Sequence, residues 1–295
     1  MEEDKPKLDE ETRQKSLKYS TLDGAFCAMK VGIGESFFSA FAIFLKATTF
    51  QIGLLGSLPQ AIGSFLQLFT TRLIKLFGSR KKFVCISAAF EILMYALIAL
   101  AFYFGKMRVY WLLFFICLYW VFGIILGPAW SSWMGDLVKE NERGKYFGRR
   151  NEIIGFALLI AYLAGGYILQ QFNHGSHNEY WGFVTIFVLA SAFRLLSIYY
   201  LARQHEPEYH GEHTSIKGFI CTIKDASMKN YGFLVGYLVF MNFAVYLSAP
   251  FFAAYMLYDL KYDYLTFTIV NASLIAVKYL FMPVWGRLAD RYGTK

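Results

Sequence analysis

Charged residues are scarce in this sequence. Asp, Glu, Lys and Arg together make up 17% of the 295 residues, whereas they make up about 25% of an ordinary soluble domain. Hydrophobic residues reach 57% and aromatic residues 19%. One water-soluble core cannot enclose so much apolar side chain. The composition therefore excludes an ordinary soluble domain and indicates that lipid is the solvent.

Cysteine is also scarce, and its distribution excludes a disulfide framework. The four cysteines show no pairing pattern, so we expect neither a disulfide nor a structural metal site; they are Cys27, Cys85, Cys117 and Cys221. Residues 1–20 lack both an apolar core and a small-residue cleavage site. This excludes a signal peptide, and we expect a disordered cytoplasmic tail there.

The chain lacks the signals of an enzyme. No nucleophile stands beside a base, no histidine lies in an apolar run, and no helix carries a pair of metal ligands. The three histidines and three glutamates of residues 205–213 could bind a metal, but their spacing is loose, so we favour a solvated linker. The sequence thus predicts no enzyme, no metal and no cofactor.

Long apolar runs are what the sequence does contain. A membrane-spanning helix takes about 20 mostly apolar residues, and eight stretches meet that length. They are 22–45, 50–71, 83–104, 109–134, 151–171, 180–202, 230–256 and 263–285. The sequence therefore predicts an all-α polytopic membrane protein.

The basic residues between these runs predict the orientation. The net charge is +8, but the lysines and arginines sit in short clusters between apolar runs, which is typical of topology signals and argues against a nucleic-acid partner. Of the lysines and arginines outside the spans, 22 fall on one side of the membrane and four fall on the other. The four are Lys46, Lys106, Arg108 and Lys261. This asymmetry places the N-terminus in the cytoplasm.

The longest linker divides the chain. Residues 203–229 separate a predicted six-helix bundle at 21–202 from a partial second bundle at 230–295. Within the linker, apolar residues at helical spacing beside lysines predict an amphipathic helix on the inner leaflet; they are Ile216, Phe219, Ile220 and Ile223, with Lys217 and Lys224. A solvated linker is the alternative.

Two similar segments follow the second helix of each bundle. They read TRLIKLFGSRKK at 71–82 and GRLADRYGTK at 286–295. Similarity at equivalent places in two halves is a signature of transporters built from repeats.

The second segment resembles the cytoplasmic-loop signature of the major facilitator superfamily. GDLVKENERGKYFGRRN at 135–151 also resembles that family's loop between helices 4 and 5. The first copy departs from the signature, because Lys75 stands where the family has Asp and Leu76 where it has Arg. The resemblance implies a twelve-helix fold of two six-helix bundles. This chain supplies the first bundle and two helices of the second, so we expect a truncated sequence, with a genuine eight-helix protein as the alternative.

The resemblance also implies a function. It predicts transport of a small solute by alternating access, secondary active and coupled to an ion or a proton, in a prokaryotic cytoplasmic membrane and by a protein that is monomeric when full-length. Helix 4 lacks the intramembrane Arg of many proton-coupled members, and helix 5 lacks the Gly-Pro pair of the drug antiporters. The alternative is a sensor that binds ligand without transporting it.

Five charged residues stand out because they lie deep inside the predicted spans, away from the span ends: Lys30, Glu35, Glu91, Arg194 and Lys278. A charge at a helix centre costs roughly 2.5–3.5 kcal/mol on insertion scales, so each is a candidate for function. The resemblance places helices 1 and 7 at the transport cavity and helices 3 and 6 outside it. We therefore expect Lys30, Glu35 and Lys278 in the site, and Glu91 with Arg194 as a structural ion pair. The lysines could instead snorkel to the headgroups, and Glu35 could be purely structural.

Two polar residues of helix 7, Asn242 and Tyr246, complete the predicted substrate site. Among these five deep charges, the three cations exceed the two anions by one, which slightly favours an anionic substrate. Besides substrate, the lipid bilayer is the only partner that we expect.

The family signature predicts a latch between the bundles. Gly286 and Gly293 would permit a tight turn after the eighth helix. Asp290, followed by Arg291, would approach residues 145–152, where Arg149 or Arg150 and a helix N-terminus favour an anion.

Overall fold

The chain folds into helices joined by short turns. The structure, a computed structural model, describes residues 9–172, 176–207 and 230–292, without the side chains of 176, 177, 230, 231 and 282–292. We number the helices α1 Glu10–Ile33, α2 Phe38–Phe44, α3 Thr49–Gln67, α4 Thr70–Phe77, α5 Arg80–Leu100, α6 Arg108–Leu137, α7 Arg143–Gln171, α8 Ser176–Arg203, α9 Asn230–Ala254 and α10 Tyr264–Tyr292. The described residues include no strand, and the all-α polytopic prediction is confirmed.

Seven helical segments of the described chain are long and apolar enough to cross a membrane, and an eighth is gained if α3 and α4 form one span. These two helices are bent by 62° where they meet. The predicted span at 50–71 therefore ends at Gln67, and the chain continues in the short, basic α4. The protein is an integral membrane protein.

The first helix begins earlier than the sequence predicted. Asp9 caps its N-terminus by accepting a hydrogen bond from the Thr12 backbone N–H at 3.3 Å. Arg13, almost fully buried, pairs with Glu10 in the same turn and with Glu142 at 2.9 Å. The expected disordered tail at residues 1–20 was therefore wrong from residue 10 onwards, because a capped acidic first turn and the ion pairs of the buried Arg13 with the more exposed Glu10 and Glu142 hold these residues in the helix.

The same helix breaks inside the membrane. It ends at Ile33, and a 3₁₀ turn at Glu35–Phe37 leads into α2. Gly34 at the break packs so tightly that a Cβ there would lie 2.5 Å from the Ala190 Cβ and 3.0 Å from the Tyr95 ring. The sequence predicted one continuous span at 22–45, whereas the structure divides it directly before Glu35.

Helix α1 is the centre of the first bundle. It packs mainly against α7 and α8, while α5 packs against α6 and α8. On the C-terminal side of the break, the side chains of Phe37, Phe38 and Phe41 form an aromatic core, and each is at most 2% exposed. The break therefore lies in the tightly packed interior, where α5, α6 and α8 meet α1.

The last two helices pack against different helices of the preceding part of the chain. Helix α9 contacts α3 and α10 contacts α7. Small residues allow both approaches: Gly56 faces Pro250, and Gly166 faces the buried Thr268. This agrees with the general use of small residues at helix interfaces in lipid.

Two predictions fall outside the described residues. The amphipathic helix predicted at Ile216–Ile223 lies between 208 and 229, which the structure does not describe. The division into two bundles at 203–229 stays a prediction.

Candidate functional site

A buried charge network surrounds the break in α1. We define it as Lys30, Glu35, Glu91, Tyr119 and Arg194. The Lys30 ammonium is its hub: Nζ lies 3.0 Å from Glu91 Oε2 and 3.3 Å from Glu35 Oε2. It also donates to the Tyr119 hydroxyl at 2.6 Å. Lys30 is 4% exposed, so its charge is balanced inside the bundle and does not snorkel to the surface.

Glu91 and Arg194 form the firmly held half of the network. Arg194 Nη2 donates to Glu91 Oε1 at 3.1 Å, and its Nε lies 3.0 Å from Oε2. Both side chains are at most 3% exposed. The structure thus brings together the two residues that the sequence paired, and it also joins them to Lys30, which the sequence had assigned to a separate site.

Glu35 forms the more open half. Its Oε2 accepts a hydrogen bond from the Tyr119 hydroxyl at 2.6 Å, besides its contact with Lys30. Tyr119 OH lies 3.1 Å from Tyr95 OH. The Glu35 side chain is 15% exposed, against 2% for Glu91. Among the carboxylates of the network, Glu35 is therefore the one with access to its surroundings.

Three polar residues extend the network along α1 and α8. Arg194 Nη1 donates to Ser197 Oγ at 3.0 Å, and Ser197 donates to Asp23 Oδ1 at 2.6 Å. Arg194 Nη1 also lies 3.4 Å from Cys27 Sγ. Asp23 is 4% exposed. Sequence reasoning missed Asp23, which stands at the edge of the predicted span, and Tyr119, which stands alone within an apolar helix.

The charges of Lys30, Glu35, Glu91 and Arg194 balance, if the buried Asp23, which is joined to them through Ser197, is counted separately. Lys30 and Arg194 carry two positive charges, and Glu35 and Glu91 carry two negative ones. Burying a charge without a partner is costly, whereas a paired and hydrogen-bonded charge is tolerated in the interior. Removing the charge of one member would therefore leave a net charge within the bundle, which is the condition for a protonation-dependent change.

The remaining predicted substrate residues do not join the network. Lys278 is exposed, and its ammonium lies 5.7 Å from the centroid of the neighbouring Tyr279 ring. Asn242 is exposed and donates to Leu238 O in its own helix at 2.7 Å, while Tyr246 is 45% exposed. The excess cation that favoured an anionic substrate was Lys278, so the network's own charge count favours no sign.

The predicted latch is only partly described. The side chains of Asp290 and Arg291, and Gly293 entirely, lie outside the described residues. Helix α10 continues through Gly286 to Tyr292, so the tight turn expected at Gly286 was wrong. Arg149 is exposed.

Arg150, the other arginine of the predicted latch, contacts α1 and α6. Its Nε donates to Ser20 O at 3.2 Å, and its guanidinium lies 4.4 Å from the Trp130 ring centroid. It therefore joins α7 to α1 and α6.

A second ionic cluster lies at the end of the bundle where α1 begins. The first copy of the repeated segment folds as α4, which ends at the left-handed Gly78. Ser79 then caps the N-terminus of α5, which begins at Arg80. Arg80 is 1% exposed, and its Nη1 donates to Asp136 at 2.6 Å. The Glu206 carboxylate accepts from the Arg80 backbone N–H at 2.6 Å. This cluster fixes the chain after α8 to the start of α5.

Within the described part of the chain, the cysteines form no disulfide and no side chains are grouped to bind a metal. Cys27, Cys85 and Cys117 are free thiols. No group of three or more His, Cys, Asp or Glu within the described residues is placed to hold a metal ion.

The fold and the site together define a polytopic helical membrane protein whose broken first helix carries a buried charge network. A model of the Major Facilitator Superfamily matches residues 24–295. The chain belongs to the major facilitator superfamily. This membership supports membrane transport and a transporter rather than an enzyme.

Curated relatives give a more specific, and shorter, match. The chain is 33% identical over 73 residues to the proton-coupled antiporter flippase LtaA of Staphylococcus aureus strains USA300, NCTC 8325 / PS 47 and COL. The matched stretch covers 25% of this chain and 18% of each relative.

Proposed function

We propose that this protein transports a small solute by alternating access and couples that movement to a proton at Glu35. The observation that carries the proposal is the break in α1, which places a partly accessible carboxylate beside a buried ammonium. Broken helices near the membrane midplane are where secondary transporters bind substrates and coupling ions.

The coupling step follows from the charge balance. Ionised Glu35 accepts from Tyr119 and pairs with Lys30, so the segment after Gly34 is tied to α6 and to the first part of α1. Protonation of Glu35 removes its negative charge. Lys30 is then paired only with Glu91, and Glu91 is also paired with Arg194. The 3₁₀ turn is then free to move relative to α5 and α6, and this movement opens or closes the cavity.

The relatives support the proton as the coupling ion, since the staphylococcal proteins are described as proton-coupled antiporters. Their description as flippases adds lipid-linked molecules to the solutes that deserve testing. Tyr119 supports the same choice of ion, because a hydroxyl hydrogen-bonded to a carboxylate provides a short path for a proton.

The experiment uses the protein in proteoliposomes containing a pH-sensitive dye. A panel of solutes and lipid-linked solutes is tested for driven proton movement, and the active solute is then used with Glu35→Gln. We expect the variant to fold and to lose proton movement. Glu11→Gln is the matched control, because it makes the same change at an exposed position of α1, the helix that precedes the turn of Glu35.

Retained, pH-dependent proton movement in Glu35→Gln would contradict coupling at this carboxylate. A sensor would give a different result. It would bind a solute, seen as a raised unfolding temperature, while the wild-type protein moved neither solute nor protons.

A further inference from the structure

An electropositive cavity lies at the end of the bundle opposite to the start of α1. It has a volume of about 550 Å³ and lies where the turn between α2 and α3 meets the turn between α5 and α6. Its lining includes three cationic side chains, those of Lys46, Lys106 and Arg108. The charge network lies elsewhere, so this cavity is independent of the proposed coupling site.

This group of cations lies on the side of the protein that has few of them. Only four lysines and arginines fall on the membrane side that the sequence predicts to be non-cytoplasmic, and three of them converge on this cavity from two separate turns. The fourth, Lys261, is not part of its lining.

No acidic residue neutralises these cations within the described chain. The lining of the cavity contains no Asp or Glu. Among the described residues, none of the three cations has a carboxylate within the 4.0 Å of an ion pair. Like charges that line one cavity repel one another, so an anion bound between them would relieve the repulsion.

The backbone adds further positive potential. Helix α6 begins at Arg108, and its N-cap residue Met107 makes no side-chain capping bond. The first N–H groups of a helix have no partner within it, and its dipole is positive there. The Arg108 N–H donates to Gly105 O in the preceding 3₁₀ turn, so what the start of this 30-residue helix adds at the cavity is the positive end of its dipole.

Exposed aromatic residues indicate the depth of the cavity in the membrane. Tyr110 in the lining is 57% exposed, and the nearby Tyr103 and Trp111 are 63% and 42% exposed. Tyr and Trp are enriched at the level of the lipid headgroups. An anion bound here would thus be within reach of the phosphates of the bilayer.

We infer that this cavity is a binding site for a phosphate group. The ligand chemistry is a phosphate monoester or diester, supplied either by the headgroup of an anionic lipid or by a soluble phosphate. Lys46, Lys106 and Arg108 contact its oxygens. Lys46 adopts a left-handed backbone conformation, with φ of 62°, and this turn contributes one of the three cations.

The test is native mass spectrometry of the purified protein with phosphatidylglycerol in a phosphatidylcholine background. Binding is compared among three proteins: the wild type, the control Lys261→Gln, and a triple variant that combines Lys46→Gln, Lys106→Gln and Arg108→Gln. We expect the triple variant to hold one fewer tightly bound phosphatidylglycerol, and Lys261→Gln to match the wild type. Each cation near an anionic lipid surface strengthens binding about fivefold, so Lys106→Gln alone should weaken this site by about that factor.

A second arm uses inorganic phosphate at millimolar concentration without anionic lipid. A raised unfolding temperature in the wild type and Lys261→Gln, but not in the triple variant, would assign the site to soluble phosphate. Size-exclusion chromatography first checks that the single and triple variants elute as folded protein. Equal lipid binding and equal response to phosphate in all variants would overturn the inference.

Discussion

Two glutamates of one network differ in how they are held. Glu91 is contacted by two cations, with Arg194 reaching both of its oxygens, and is 2% exposed. Glu35 has contacts at one oxygen, from Lys30 and Tyr119, and is 15% exposed. Both share the same lysine. The same residue type is thus held at both oxygens and fully buried in one place, and held at one oxygen and partly exposed in the other.

The surroundings explain the difference. Glu91 lies in the middle of the regular helix α5, where its backbone is fixed by the helical hydrogen bonds. Glu35 opens a 3₁₀ turn between two helices, and such turns within a span mark hinges. A carboxylate on a hinge can change its partners without disturbing a long helix.

The largest effect that we predict is on stability in Glu91→Gln. The amide keeps the size of the side chain but leaves Arg194 and Lys30 with an unbalanced buried charge. Breaking a buried pair by removing one partner costs about 3–5 kcal/mol. Chemical unfolding in detergent micelles should show that loss, whereas Glu152→Gln on the exposed face of α7 should change stability by less than about 0.5 kcal/mol.

Chemical unfolding of Glu35→Gln tests whether the two glutamates differ in their contribution to stability. If Glu35 is releasable, its amide variant should be clearly more stable than Glu91→Gln. Equal losses in the two variants would show that both glutamates are structural and would remove the distinction between them.

A smaller effect is predicted for Gly34→Ala at the hinge. The new methyl group would lie 2.5 Å from the Ala190 Cβ, so α1 and α8 would have to move apart. Overpacking of this kind costs about 1–3 kcal/mol. Gly127→Ala in α6 is the control, since nothing lies within 4 Å of a Cβ there. A hinge that tolerated the methyl group as well as α6 does would argue against tight packing at the break.

Much of the fold could be predicted from the sequence because lipid imposes a simple rule. Each apolar run of sufficient length forms a helix, and the family signature at 286–295 gave the superfamily that the family model confirms. The break before Glu35 could not be predicted. Its apolar flanks have the same composition as a continuous span, and only packing against Ala190 and Tyr95 selects the turn.

The site was predictable in its charges but not in their grouping. Four of the buried network's charges were identified and Asp23 was missed, and Lys30 was assigned to the cavity whereas Glu91 was assigned to the periphery. The structure joins them at 3.0 Å, because α1 packs against α8 while α5 packs against both α6 and α8. Helix order along a chain does not reveal such neighbours. The N-terminal extension of α1 had a readable signal, the Asp9 cap before two glutamates, as the rules for helix starts predict.

The smallest effect is predicted for Lys278→Gln, which extends the comparison from the two glutamates to the two lysines that the sequence treated alike. Lys278 is exposed and has only its neighbouring Tyr279 ring as a described contact, so the change should alter unfolding stability by no more than about 0.5 kcal/mol. Lys30→Gln removes the hub of the network and should cost several times more, because Glu35 and Glu91 lose their shared cation. If proton movement in proteoliposomes also survives Lys278→Gln and fails in Lys30→Gln, coupling belongs to the broken first helix. A loss of proton movement in Lys278→Gln with unchanged stability would instead return Lys278 to the transport site and show that α10 contributes a charge to it.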